Sequence, residues 1–428
     1  MEEKLIISTS KILFPLSSAM DMVSPQLSAH QLRTAYIAWE IGKALQYHPQ
    51  TISKIFNASL LHDIGALTPE EKIRLHNFEV DDPQPHCILG EFLFNSVRWL
   101  RPCAQAIRYH HRPWNEWVKE TLDETLWQKA QTICLADYVE RLIDRSTYIL
   151  HQNRRIISEI KSLSGVLFAP QIVDGFLLAA GRENFWLMLT SPRLYTHLLQ
   201  NGPHTTLTFD IRDFTQLATL LRNIIDFRTP FTATHSTGVA ACAQYLARKL
   251  ELTKEDIKRI HIAGNLHDLG KLSVPNTIIE KPATLTEEEY AIMKQHVFYT
   301  FSILNELPGF ESIRDWASFH HETLNGIGYP FHLSKEELPL GARIISVADN
   351  FTAMIETRPY RPWLNQQEIV AVLRQKANEG LLDPQVVDLL ITHYDELEAI
   401  VERKQAQSRQ YYQQHFASLV NRNRSSAQ

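Results

Sequence analysis

The dipeptide His-Asp occurs twice in closely similar surroundings, LLHDIGAL at 60–67 and NLHDLGKL at 265–272, and the spacing around both copies is shared. His30 precedes His62 by 32 residues, and His235 precedes His267 by the same 32. Further on, His86 and His296 each stand 24 residues before a doublet, at His110-His111 and His320-His321. An Ala-Asp pair closes each series, at Asp137 and Asp349. Two intervals differ: from His-Asp to the single histidine (24 against 29), and the last (26 against 28). Loops absorb such changes readily. With 19 histidines in 428 residues, four matched histidine positions are very improbable by chance. The chain therefore reads as two copies of one domain, 1–205 and 206–405, with 150–205 supplying connecting helices and 406–428 a polar tail, either a frayed helix or disorder.

Helical periodicity dominates both copies. Val239, Cys242, Leu246 and Leu250 draw an apolar stripe along one helix face. Thr286 with Glu289 predicts a capping box, Thr68-Pro69-Glu70-Glu71 repeats the signal with proline at the first helical position, and Asp383-Pro384 opens another helix. Alternating strand patterns are short, Thr205 to Phe209 being the best. The expected fold class is all-α, two tandem helical domains.

Composition narrows the function. At 44% hydrophobic and 21% charged residues the chain is ordinary globular material, and a net charge of -5 argues against broad DNA binding. The apolar run from Leu5 to Val23 is broken by Lys11, Pro15 and Asp21, and no stretch approaches the roughly 20 apolar residues of a membrane span. Cys87, Cys103, Cys134 and Cys242 are widely spaced, which suits a reducing compartment. A cytoplasmic protein is expected.

Each copy offers five histidines and two aspartates, an N/O donor set without thiolates. Such sets suit iron, manganese or zinc in sites with open positions. Adjacent side chains on a helix diverge by about 100°, so His-Asp can serve two ions, with a bridging carboxylate. Seven donors are too many for one four-coordinate ion and suit two. A pair of ions about 3.5–4 Å apart can hold a bridging hydroxide and clamp a phosphate during in-line attack.

The order H…HD…H…HH…D resembles the HD phosphohydrolase superfamily. The second copy is similar to its HD-GYP subgroup, through His267-Asp268-Leu269-Gly270-Lys271, Lys281-Pro282, Met293-Lys294-Gln295-His296 and the run His320 to Pro330 with Gly328-Tyr329-Pro330. Ala342-Arg343-Ile344, Val347-Ala348-Asp349 and Arg358-Pro359-Tyr360-Arg361 extend the likeness to about 190 residues. The resemblance implies hydrolysis of cyclic di-GMP, 3′,3′-cyclic GMP-AMP or both to a linear dinucleotide or on to mononucleotides. It implies one ion on His235, His267, Asp268 and Asp349, and another on Asp268, His296, His320 and His321. Iron or manganese leads, with zinc, nickel and magnesium open. Lys271 would meet the scissile phosphate or leaving group, and Arg358, Arg361, Tyr329 and Gly328 the substrate. A GGDEF-type cyclase is the partner implied, and a homodimer is open. A hydrolase of another nucleotide and a silent cyclic-dinucleotide receptor are the competing readings.

Departures from the pattern are local. Asn325 stands at the aspartate of HHExxDGxGYP, Thr323 where lysine is common, and Thr352 where an aspartate often follows Ala-Asp. Phe231 replaces a glutamate able to hold a third metal, so two are expected. The first copy resembles the superfamily only. His30, His62, Asp63, His86, His110, His111 and Asp137 form a second candidate metal set, but Ala66 stands where Lys271 does, and Arg112-Pro113-Trp114-Asn115 replaces the GYP loop. This copy is expected to bind metal and regulate or dimerise without efficient catalysis.

Overall fold

A computed structural model describes residues 4–22, 25–80, 82–119, 123–228, 234–356 and 364–419. These are almost wholly helical, with one small sheet pairing Leu5–Ser8 and Thr206–Phe209. The described residues fall into two compact units, one of 6–208 and one of 209–419 with residues 4 and 5. No helix among them is long and apolar enough to cross a membrane.

In the second unit, helix His235–Lys249 packs against Lys254–Leu266, Leu340–Ile355 and Tyr394–His415. Its predicted stripe is realised: Val239, Cys242 and Leu246 are fully buried, while Leu250 is the C-cap. The Thr286 capping box forms, with Glu289 N donating to Thr286 Oγ1 at 3.3 Å and Thr286 N to the Glu289 carboxylate at 2.7 Å. Asp383 caps its helix as predicted. At Thr68 only half of the box closes. Glu71 N donates to Thr68 Oγ1, but the Glu71 carboxylate accepts from Leu67 N instead.

The first unit centres on helix His30–Ala44, against which Pro49–Ser59 and Glu124–Arg141 pack. The helices Pro170–Ala180, Glu183–Leu189 and Leu194–Asn201, expected as connectors, also lie on helix His30–Ala44. They bring Phe176, Phe185 and Trp186 into its core. The stretch Leu5 to Asp21 is a strand and a helix with most side chains buried.

Residues 406–415 of the expected polar tail continue helix Tyr394–His415, and Gln405, Ser408, Tyr412 and Phe416 are buried. Polar composition concealed a buried edge whose residues recur about once per helical turn. Phe416 packs on Phe227 at 4.5 Å between ring centroids. Phe416→Ala is expected to destabilise this unit by about 3–4 kcal/mol, the usual cost of emptying a buried aromatic site. Urea unfolding of the variant measures it.

Candidate metal centre

Both His-Asp pairs lie just past a helix end, not within a helix. His267 is the C-cap of Lys254–Leu266, and Asp268 precedes a 3-10 turn at Leu269–Ser273. The last turn of a helix leaves carbonyls without intrahelical partners. His267 uses one of them, its Nδ1–H donating to Gly264 O at 2.9 Å. The same step back of three residues recurs elsewhere. His320 Nδ1 donates to Ala317 O at 2.7 Å, and His296 Nδ1 to Met293 O at 2.6 Å. In the first unit, His62 donates to Ser59 O and His110 to Ile107 O. A proton held on Nδ1 leaves a lone pair on Nε2, pointing away from the helix.

These lone pairs converge. The Nε2 atoms of His267, His296 and His320 are buried and have no hydrogen-bond partner among the described residues. Nitrogen atoms left so, facing carboxylate oxygens, are what a cation site requires. Asp268 Oδ2 lies 3.2 Å from His267 Nε2 and 4.0 Å from His235 Nε2, while its Oδ1 lies 3.5 Å from His296 Nε2. Asp349 Oδ1 is 3.1 Å from His235 Nε2. Two groups result, His235 with His267 and Asp268, and His296 with His320 and His321. Asp268 presents one oxygen to each. The seven expected residues thus come together, and their donor types fit divalent cations.

Close backbone approach makes this possible. A Cβ on Gly270 would lie 1.8 Å from His296 O, so glycine alone lets the His-Asp turn press onto the His296 helix. Gly65 plays the same part, 2.0 Å from His86 O.

The two halves of the site differ electrostatically. Burial works against charge on His235, yet the Glu356 and Asp349 carboxylates outweigh it and push its pKa up to about 10. For His296 and His321 burial prevails and lowers the values to about 3 and about 4. His320 is likewise held well below the usual range by burial and by His321. This trio is neutral at physiological pH and ready to ligate. Burial raises Asp268, but His267 and Lys271 hold it well below the carboxylate range.

Lys271 reaches the site, its Nζ 2.6 Å from Asp268 Oδ2. Tyr329 stacks on His321 with ring centroids 4.9 Å apart. A Cβ on Gly328 would meet Glu322 Cα at 2.5 Å and His321 O at 2.6 Å, so this glycine seats the loop on the backbone of the doublet. Glu322 fastens the loop further, accepting from Phe331 N and Leu333 N. Arg358, Arg361 and Phe231 lie outside the described residues. Thr352 is buried in the Asp349 helix, and Thr323 donates to Asn325.

Asn325 has a structural explanation. Its Nδ2–H donates to Glu379 O at 2.9 Å while its Oδ1 accepts from Ile327 N and Thr323 Oγ1. An aspartate could make only the accepting half. Glu356 and Glu140 were not legible in sequence. Glu356 Oε2 accepts from His235 Nδ1 at 3.0 Å and is held in turn by Gln405. Glu140 does the same for His30. They stand seven residues after Asp349 and three after Asp137, on one helix face each but at different offsets, so comparing the copies conceals them.

In the first unit the candidate residues also assemble. His30, His62 and Asp63 form one group, and Asp63, His86, His110 and His111 another. Asp137 Oδ1 lies 3.5 Å from His30 and 3.4 Å from His62. Arg141, which sequence comparison passed over, holds Asp137 Oδ2 at 3.0 Å.

Two outcomes test this geometry. Glu356→Ala frees the His235 ring and should weaken metal binding about 10–100-fold, as measured by chelator competition. Asn325→Asp should lower stability by about 1 kcal/mol in denaturant unfolding, through loss of its donor bond, with metal content unchanged.

The HD domain family matches residues 27–142 and 219–386. A 3′3′-cGAMP-specific phosphodiesterase 1 of Vibrio cholerae is 30% identical over 416 residues, covering 95% of this chain and 93% of that protein. A cyclic di-GMP phosphodiesterase response regulator of Xanthomonas campestris is 32% identical over 188 residues, covering 42% of this chain and 48% of that protein. Among solved structures, a cyclic GMP-AMP-specific phosphodiesterase of V. cholerae superposes with a TM-score of 0.63 at 24% identity, covering 91% of this chain and 98% of that one. That likeness supports the same all-helical fold. The chain belongs to the HD family of metal-dependent phosphohydrolases and carries two HD domains in tandem.

Proposed function

We propose that the chain is a metal-dependent phosphodiesterase that opens a cyclic dinucleotide, with 3′,3′-cyclic GMP-AMP its first substrate and cyclic di-GMP its second. The observation that carries this reading is Asp268, whose two oxygens face two histidine groups while Lys271 adds a cation at the same carboxylate. The relative aligned along both halves supports the choice of first substrate. The second half is assigned to the HD-GYP subgroup on its Gly328-Tyr329-Pro330 loop.

His235, His267, Asp268 and Asp349 would hold one ion, and Asp268, His296, His320 and His321 the other, iron or manganese by donor type. When bound, such ions supply Lewis acidity at a phosphoryl oxygen and make water a nucleophile at neutral pH. The protein residues do the rest. His267, His296 and His320 are fixed beforehand by their backbone bonds and His235 by Glu356, so little reorganisation accompanies reaction. Water attacks phosphorus, the bond to the 3′ oxygen breaks, and Lys271 Nζ–H stands to protonate that oxygen. The product is a linear dinucleotide with a 5′-phosphate and a free 3′-hydroxyl. Four free buried thiols suit a reducing compartment such as the cytosol.

Protein reconstituted with manganese or iron should cleave 3′,3′-cyclic GMP-AMP, and chromatography of the products reads the outcome. Asp268→Ala should abolish turnover, and Lys271→Ala should lower kcat about 10²-fold or more, as loss of a positioned proton donor does. Absence of cleavage of both substrates by wild-type protein, or full activity in Asp268→Ala, would overturn the reading. Tight binding without cleavage would point to a receptor.

A further inference from the structure

A row of rings leads from the metal centre of the second unit to a lysine. Tyr329 lies on His321 with 25° between ring planes, and Tyr290 meets Tyr329 edge to face, 6.3 Å between ring centroids and 79° between planes. Tyr290 and Lys294 stand four residues apart on helix Glu287–Asn305, which also carries His296. That spacing puts both on one face of the helix. The Lys294 ammonium accordingly lies 5.1 Å from the Tyr290 ring centroid and 5.9 Å from that of Tyr329. One tyrosine ring thus links it to the His321 imidazole.

Other cations of this unit are engaged by carboxylates: Lys271 by Asp268, Lys281 by Glu289 and Arg343 by Asp383. Lys294 has no carboxylate partner among the described residues, and the two phenol rings hold it. An ammonium on aromatic faces is attracted by their quadrupoles yet keeps its N–H donors for another group. Lys294 is half-buried, so an anion reaching it is screened less than at open surface. Tyr290 is 46% exposed, which leaves the outer end of the row accessible. The inner end belongs to the site. Burial first, then Tyr290, hold the Tyr329 phenol well above its usual range, and the Asp349 and Asp268 carboxylates add to the effect. Its hydroxyl therefore stays protonated, in the field of the metal-site carboxylates.

A cyclic dinucleotide carries two phosphodiester groups in one ring, each with a negative charge. One must lie at Asp268 and Lys271 to react. The other is carried beside it, beyond the metal donors, and calls for a cation of its own. We infer that Lys294, held by Tyr290 and Tyr329, binds this second, non-reacting phosphate, an inference that rests on the phosphodiesterase reading above. The contact is to a group that does not react, so it holds substrate and transition state alike and shows in KM, not in kcat.

Two substrates test this on the manganese-loaded full chain: 3′,3′-cyclic GMP-AMP, with two phosphates, and bis(p-nitrophenyl) phosphate, with one. Lys294→Gln should raise KM for the dinucleotide about 10-fold or more with kcat kept, through loss of one charge-assisted hydrogen bond. Its kcat/KM on the dinucleotide should fall by about the same factor relative to bis(p-nitrophenyl) phosphate. Lys294→Arg should recover most of the loss, since guanidinium also grips phosphate. Added salt should raise KM for the dinucleotide more steeply in wild-type protein than in Lys294→Gln. Tyr290→Leu should raise KM about 2–5-fold, and Tyr290→Phe, which keeps the ring, much less. An unchanged KM in Lys294→Gln, a fall in kcat in place of a rise in KM, or an equal loss on both substrates would overturn the assignment and leave the phosphodiesterase reading standing. Wild-type protein that cleaves neither cyclic dinucleotide would overturn that reading, and this inference with it.

Discussion

The hydrogen bond from a histidine Nδ1 to the carbonyl three residues earlier is the interaction on which both sites depend. It fixes the tautomer, holds the ring plane and sends the Nε2 lone pair inward, at His62, His110, His267, His296 and His320 alike. At His267 the acceptor belongs to a helix terminus, so one bond satisfies an orphan carbonyl and prepares a ligand. Without that bond the ring would rotate among rotamers, and convergence of several imidazoles would carry an entropic cost.

A second constraint builds on the first. Gly65 and Gly270 bring the His-Asp turn against the backbone of the next histidine's helix, at a distance no side chain permits. This sets the separation between the aspartate and His86 or His296. The outer carboxylates then act from the far side of the first histidine, and Gln405 links Glu356 to the C-terminal helix. The last helix of this unit thereby leads directly to the site.

From this common frame the copies diverge by moving one cation. In the second unit Lys271 stands at Asp268 and is partly exposed to solvent. In the first, Arg141 holds Asp137 from its own helix and the lysine position is a buried alanine. The cation beside the site is 22% exposed in one copy and 9% exposed in the other.

The sequence by itself determined the helical class, the tandem repeat and the identity of the clustered residues, because fixed intervals between rare histidines survive changes in loop length. It also made the capping residues of several helices legible, since those interactions are local. Only the tertiary structure decided what depends on distance between elements. Glu140 and Glu356 act across helices at offsets the repeat does not share, and Asn325 owes its amide to a carbonyl 54 residues away. The packed edge of helix Tyr394–His415 hides within polar composition until a partner surface is present. The separations between donor atoms are likewise a matter of ångströms between helices, which no spacing along the chain encodes.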